Sequence, residues 1–308
     1  MEIRAVSGRE LNPERFQQEI VQGCRPVVIR GLVADWPVVE AGHESPRALR
    51  DYLATLDVGE RVEVFLGDPA IRGKYYYNAG FQGFNFERRT VKLSEALDYI
   101  LGAVEQRDSR SAYVGSVPTS QCLPGFVARN PTPLAATNVG PRIWLGTAAD
   151  ISAHYDTSDN LACVIAGRRR FTLYAPELIG KLYIGPIDNT MAGAPVSLAA
   201  SAPAGNEKLY PLFEEIRDQA LSAELEPGDA LYLPKLWWHQ VESTAPLNGL
   251  VNYWWDAFSS GPDAPYTSLL FALITISARP PAERQAWKAF FDHYVFRTNC
   301  HPLAHLPP

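Results

Sequence analysis

The chain has 308 residues, 46% of them hydrophobic and 20% charged, a composition that can fill a large core and excludes a disordered polymer. Its net charge of −6 and pI near 5.6 argue against a generally nucleic-acid-binding surface. No run approaches the roughly 18 to 20 apolar residues of a membrane span, no secretory leader is expected, and Cys24, Cys122, Cys163 and Cys300 lack any C-x-x-C spacing, so reduced thiols in a cytoplasmic protein are the expectation.

In chain order, Asn12-Pro13 pairs a capping amide with a first-turn proline and predicts a helix ending near Gly23, followed by a strand over Val27 to Arg30. Ser45-Pro46 repeats that signal for a helix to about Leu56. Val62 to Phe65 alternates as a strand, and Ser94 to Leu97 opens a third helix expected to stop by Gly102. Lys74 to Tyr77 and Phe81 to Phe86 are aromatic-rich and expected in the core rather than at a substrate entrance. Core strands are predicted from about Arg142 to Tyr174 and from about Ala230 to Trp255. The intervening Gly185 to Leu225, rich in Gly, Ala, Pro and Ser, reads as a loop insertion with a short helix around Pro211 to Leu221. Cys163, inside an apolar strand, reads as a small core residue.

Two of these strands carry the residues with chemistry. In His154-Tyr155-Asp156 the alternation of an extended strand points His154 and Asp156 to one face and Tyr155 to the other. The apolar strand opened by the Gly228-Asp229 turn ends in Trp237-Trp238-His239. Two neutral imidazoles and one carboxylate form the ligand set of a facial iron site, which leaves positions open for a cosubstrate and dioxygen. A closed structural zinc site would take four ligands, usually with cysteine among them.

These residues sit within two longer stretches, His154 to Pro176 (HYDTSDNLACVIAGRRRFTLYAP) and Gly228 to Ser243 (GDALYLPKLWWHQVES), that resemble the JmjC-type hydroxylases and the bacterial cupin-like proteins grouped with them. That branch contains the asparaginyl hydroxylase acting on hypoxia-inducible factor. The resemblance extends from Arg25-Pro26-Val27-Val28-Ile29-Arg30-Gly31 to Asn252-Tyr253-Trp254. It implies a mainly β fold, a double-stranded β-helix (jelly-roll) core with N-terminal and C-terminal helices, and an enzyme using Fe(II) and 2-oxoglutarate. It implies His154, Asp156 and His239 as iron ligands, Asn160 and Asn252 as contacts to the cosubstrate near the metal, and Tyr113 as a holder of its distal carboxylate. The implied reaction couples dioxygen and 2-oxoglutarate decarboxylation, giving succinate and CO2, to hydroxylation of a carbon of an unidentified substrate. The same chemistry on an N-methyl group gives demethylation, and a non-catalytic cupin-like module would only bind a metal or ligand. Related iron halogenases replace the carboxylate ligand by a small residue, and Asp156 disfavours that reaction.

Two positions depart from the family pattern. Arg169 stands where many relatives have lysine. Period-2 reasoning selects it independently from Arg168-Arg169-Arg170, because Arg169, Phe171 and Leu173 share the apolar face while Arg168, Arg170 and Thr172 share the other. A guanidinium there can still grip a carboxylate through two parallel hydrogen bonds. Ile151 replaces the Ser or Thr hydroxyl that relatives often place three residues before the first histidine, and Ser152 is one place off, on the opposite face.

Beyond the core, Tyr266 to Ser277 is apolar over nearly its whole circumference, and Trp287, Phe290, Phe291 and Tyr294 recur at helical spacing after Pro280-Pro281. The expected organisation is a catalytic domain over residues 1–260 and a helical segment over 261–308. That segment either caps the barrel or pairs two subunits into a homodimer.

Overall fold

The computed structural model describes residues 3–78, 83–106, 110–132, 134, 139–187, 190, 195–200, 202, 207–259 and 264–297. Phe81, Cys300 and parts of the Gly185–Leu225 insertion lie outside these. The chain divides into two compact units, Met1–Ala257 and Phe258–Pro308.

The first unit is mainly β, a jelly-roll with helical additions. Its strands are β1 (Ala5–Ser7), β2 (Val27–Arg30), β3 (Arg61–Gly67), β4 (Lys74–Tyr75), β5 (Phe86–Lys92), β6 (Ser111–Pro118), β7 (Arg142–His154), β8 (Asp159–Ala166), β9 (Arg169–Tyr174), β10 (Leu221–Leu225), β11 (Ala230–Leu233) and β12 (Trp238–Trp255). The main hydrogen-bonded path runs β1-β2-β11-β8-β12-β7-β6-β3-β5. The long β12 organises the barrel: it pairs β7 along most of its length, β9 through its first half and β8 through its second. Gly167 makes the turn from β8 to β9 at φ +73°, with Leu247 O and Asn248 Oδ1 only 2.4 and 2.3 Å from where a Cβ would stand. Both the left-handed backbone and the close approach require glycine, and this turn fixes where β9 presents Arg169.

Local signals explain most of the helices. Asn12 accepts from Arg15 N–H at 2.9 Å and Ser45 from Ala48 N–H at 3.0 Å, so both capping residues satisfy an orphan amide. Helix Leu93–Glu105 runs through Gly102, three residues beyond the expected stop; Leu93, Ala96, Leu97 and Ile100 keep one buried face, and that packing outweighs the low helix propensity of glycine. Helix Pro37–Glu44 lacks a capping oxygen, since Trp36 precedes it, and has no start signal beyond its proline. The expected helix Pro211–Leu221 is instead one turn, Pro211–Glu214, a 3-10 turn at Arg217–Gln219, and then β10, which pairs β9 from Leu221↔Leu173 to Leu225↔Arg169. An available edge decided against continued helix.

One apolar cluster fills the space between helices and sheet; a second, containing Val28, Ala162, Val164, Phe171, Leu173, Leu231 and Val241, fills the barrel itself. Cys163 is fully buried, and burial pushes its thiol far above the ordinary value. In the second unit, helices Pro265–Ile276 and Pro281–Phe291 contain no buried residue. No helix among the described residues is long and apolar enough to cross a membrane.

Candidate metal and cosubstrate site

The barrel holds a cavity of about 370 Å³. In its lining, His154 and His239 are direct cross-strand partners on β7 and β12, with ring centroids 4.3 Å apart. Asp156 follows β7, and its backbone carbonyl accepts from Leu236 N–H at 2.8 Å, which ties the two ligand-bearing segments together. Its carboxylate stands 3.7 Å from His239 Nε2, and one ligand atom from each of the three residues lies within 4.8 Å of the others. The structure thus brings together the three residues expected as metal ligands.

Hydrogen bonds to the backbone orient both imidazoles. His154 Nδ1 is 2.8 Å from Ser152 O, and His239 Nδ1 is 3.0 Å from Trp237 O. A carbonyl oxygen only accepts, so each Nδ1 carries the hydrogen and each Nε2 keeps its lone pair free. Burial, reinforced by the neighbouring His154, lowers the His239 pKa from 6.5 to about 4, against the opposing pull of Asp156. That imidazole is neutral at physiological pH, the form a metal needs.

Deeper in the same cavity, Arg169 is 2% exposed on β9. Burial pulls its pKa below the usual arginine value, while the Tyr113 phenol beside it acts in the opposite sense. A guanidinium nevertheless keeps its proton near neutrality. Its charge therefore remains, without an ion pair among the described residues, and its Nε has no hydrogen-bond partner. Burial likewise raises the Tyr113 pKa, so the phenol stays a donor. A buried cation and a buried hydroxyl with nothing anionic to meet suit a carboxylate ligand. Arg168 and Arg170 lie on the solvated face, paired with Glu226 at 2.9 Å and Glu224 at 2.7 Å, as alternation required.

Asn160 and Asn252 also line the cavity, and Asn252 Nδ2 donates to Asn160 Oδ1 at 3.3 Å. Ile151 faces the cavity with hydrocarbon. The Ser152 hydroxyl, one residue on, is committed to Tyr75 O at 2.7 Å and is buried away from it. Several lining residues had no sequence signal. Tyr75, expected in the core, is buried there and also forms cavity wall beside the half-buried Phe86, whereas Tyr77 and Phe84 stack at 5.5 Å in a neighbouring aromatic cluster as expected. Glu63, Arg88 and Trp144 are further wall residues. Arg88 lies 5.0 Å from the Phe65 ring centre and 3.8 Å from the Glu63 carboxylate.

A jelly-roll barrel with two imidazoles and a carboxylate converging inside it defines a cupin-class metal-site protein. Residues 13–261 match the cupin-like domain family, and the chain belongs to that family. It is similar to Jumonji C domain-containing protein 5 of Drosophila melanogaster, at 25% identity over 250 residues, 79% of this chain and 57% of that protein. It is 26% identical over 272 residues to the human bifunctional peptidase and (3S)-lysyl hydroxylase JMJD7, covering 79% of this chain and 81% of that protein. HSPB1-associated protein 1 of Bos taurus is 30% identical over 319 residues, 96% of this chain and 62% of that protein. The chain thus spans less than two thirds of the length of two of these three relatives.

Proposed function

We propose that this chain is an Fe(II)- and 2-oxoglutarate-dependent oxygenase that hydroxylates a carbon of its substrate. The observation that carries this reading is the pairing, in one cavity, of a three-ligand metal site with an uncompensated buried guanidinium. A metal site alone fits many cupins; a metal site with a buried cation deeper in the same cavity fits a ligand that chelates at one end and carries a carboxylate at the other. Bound iron and 2-oxoglutarate supply the activation of dioxygen, one oxygen atom going to succinate and the other to the substrate carbon.

The protein's own residues supply position. His154, Asp156 and His239 would hold the metal. Arg169 and Tyr113 would grip the far carboxylate of the cosubstrate, and Asn160 and Asn252 would contact it nearer the metal. Phe65, Phe86, Trp144 and Trp254 wall the approach with aromatic surface, which excludes water from the reacting end. Glu63 and Arg88, both well exposed, are charged groups that an incoming substrate meets. The name of the human relative, a (3S)-lysyl hydroxylase, makes lysine-bearing peptides the first substrates to test. The free thiols of Cys24, Cys122 and Cys163 support a reducing, cytoplasmic setting.

The test is anaerobic addition of Fe(II) and 2-oxoglutarate, with a weak visible charge-transfer band expected. Admission of air should then give enzyme-dependent succinate and, with the right peptide, a mass gain of one oxygen. Absence of both the band and 2-oxoglutarate turnover in iron-loaded protein overturns the assignment.

A further inference from the structure

Trp144 on β7 does more than wall the cavity. Its indole Nε1 donates to Asn252 Oδ1 at 2.7 Å, and Asn252 in turn donates through Nδ2 to Asn160 Oδ1 at 3.3 Å. Asn252 is 1% exposed and Asn160 7%, so neither amide can exchange freely with bulk water. Direction follows from donor chemistry. An indole N–H can only donate, so the Asn252 atom facing it must be the carbonyl oxygen. The other end of that amide, its NH2, is thereby turned toward Asn160, whose facing atom must then be its own carbonyl oxygen. What Asn160 has left is its NH2 group. Asn160 lines the cavity, and its bond to Asn252 uses only its oxygen. A side-chain amide alone would show an oxygen or a nitrogen with similar ease. This chain of three side chains removes the choice.

We propose that Trp144 is a positioning residue that fixes the polarity of the Asn252–Asn160 pair, so that Asn160 turns its NH2 donors to an oxygen-bearing ligand in the cavity while its carbonyl oxygen is held by Asn252. The inference rests on the oxygenase reading insofar as the ligand is 2-oxoglutarate. Its own content is the direction of the chain and the residue that sets it. Trp144 also meets Trp254 edge-on at 5.7 Å and Tyr113 at 6.1 Å. Trp144→Phe therefore keeps an aromatic ring in that packing and deletes the donor.

The experiment is anaerobic titration of Fe(II)-loaded protein with 2-oxoglutarate, followed by the charge-transfer band, for the wild type, Trp144→Phe, Asn160→Ala and the double variant. Trp144→Phe should weaken 2-oxoglutarate by about tenfold, the size of one net hydrogen bond lost. In the Asn160→Ala background the same change should alter affinity by less than about twofold, because the group it positions is gone. A packing role for Trp144 would instead give the same loss in both backgrounds, and that result, or an unchanged affinity for Trp144→Phe alone, overturns the proposal. A second measurement leaves Trp144 in place. The indole N–H resonance of Trp144 should move upfield and lose protection from solvent exchange in Asn252→Leu; an unmoved resonance means the indole does not bond Asn252. A wild type that shows no band at all counts against the oxygenase reading, whereas additive losses in a protein that does show the band count against the polarity chain alone.

Discussion

Replacing Arg169 by methionine should move stability and ligand affinity in opposite directions. The guanidinium is 2% exposed, has no ion pair among the described residues, and leaves its Nε unbonded. In the ligand-free protein it is an uncompensated buried charge, and an apolar side chain of similar length removes that penalty. Arg169→Met should raise unfolding free energy without ligand by about 1 kcal/mol or more. The same change deletes a charge-assisted contact to a carboxylate, worth about 1.5 to 3 kcal/mol, or roughly 10- to 150-fold in 2-oxoglutarate affinity. Denaturant unfolding of metal-loaded protein reads both effects. At 2-oxoglutarate about 100 times the wild-type Kd, ligand stabilises the wild type by about 2.7 kcal/mol, and after a hundredfold loss of affinity by only about 0.4 kcal/mol. Arg169→Lys keeps the charge and loses the fork, so its loss should be milder. Arg168→Ala, an exposed partner of Glu226, should change either quantity by no more than about 0.5 kcal/mol. Equal effects at positions 168 and 169, or an Arg169→Met protein that is less stable and binds normally, refute the reasoning.

Asp156→Ala, His154→Ala and His239→Ala should each abolish 2-oxoglutarate turnover while leaving the circular dichroism spectrum unchanged, because the facial set has no spare protein ligand; full turnover in any double variant means the metal sits elsewhere. With a folded pKa near 4 against an ordinary 6.5, His239 refuses a proton that the unfolded chain accepts between those values. Its contribution to the stability of metal-free protein is therefore present above pH 6.5 and lost as pH falls toward 4, about 2 kcal/mol by pH 5. His239→Gln should show that much less change between pH 7.5 and 5 in denaturant midpoints, and an identical pH profile refutes it. We also propose that two copies pair through residues of about 264 to 296, where Leu269 and Ile274 are 56% and 77% exposed. Leu269→Glu with Leu273→Glu should give a soluble monomer, and a monomeric unmodified protein by light scattering at micromolar concentration ends that idea.

The ligand set was legible in the sequence because strand alternation is local: His154 and Asp156 are two residues apart, and the position of Arg169 on its strand needed only the apolar pattern of Phe171 and Leu173. Long-range features were not legible in the same way. Counting back ten residues from His154 does reach the face of Trp144, but only because the odd step from His154 to Ile151 is offset by another from Ile151 to Trp144. All three line the cavity, the β7–β12 register shifts twice on the way, and no sequence signal marks such irregularities. The burial of Tyr75 was legible from its apolar setting, but that it and Phe86 also wall the cavity was not, because bulk carries no sign of which side of a sheet it covers. Strand β10 was hidden in an insertion whose composition suggested loop and helix, and only the open edge of β9 decides its state. Tyr113 was found through family resemblance alone; its strand β6 bulges between Val114 and Val117, with Ser116 at φ +58°, which no composition signal marks.

The hydrogen bonds that orient the two imidazoles come from Ser152 and Trp237, and the bond joining the ligand segments from Leu236 to Asp156. All of them, like the strand pairing beneath, are bonds of the polypeptide to itself. Two nitrogens and one carboxylate bind nickel, copper and zinc more tightly than ferrous iron. Which ion fills such a site is then set by supply in the cell that makes the protein. The metal content of a freshly purified sample is a record of that cell's free metal pool, and chelation followed by anaerobic ferrous loading is the step that separates a lack of activity from a lack of iron.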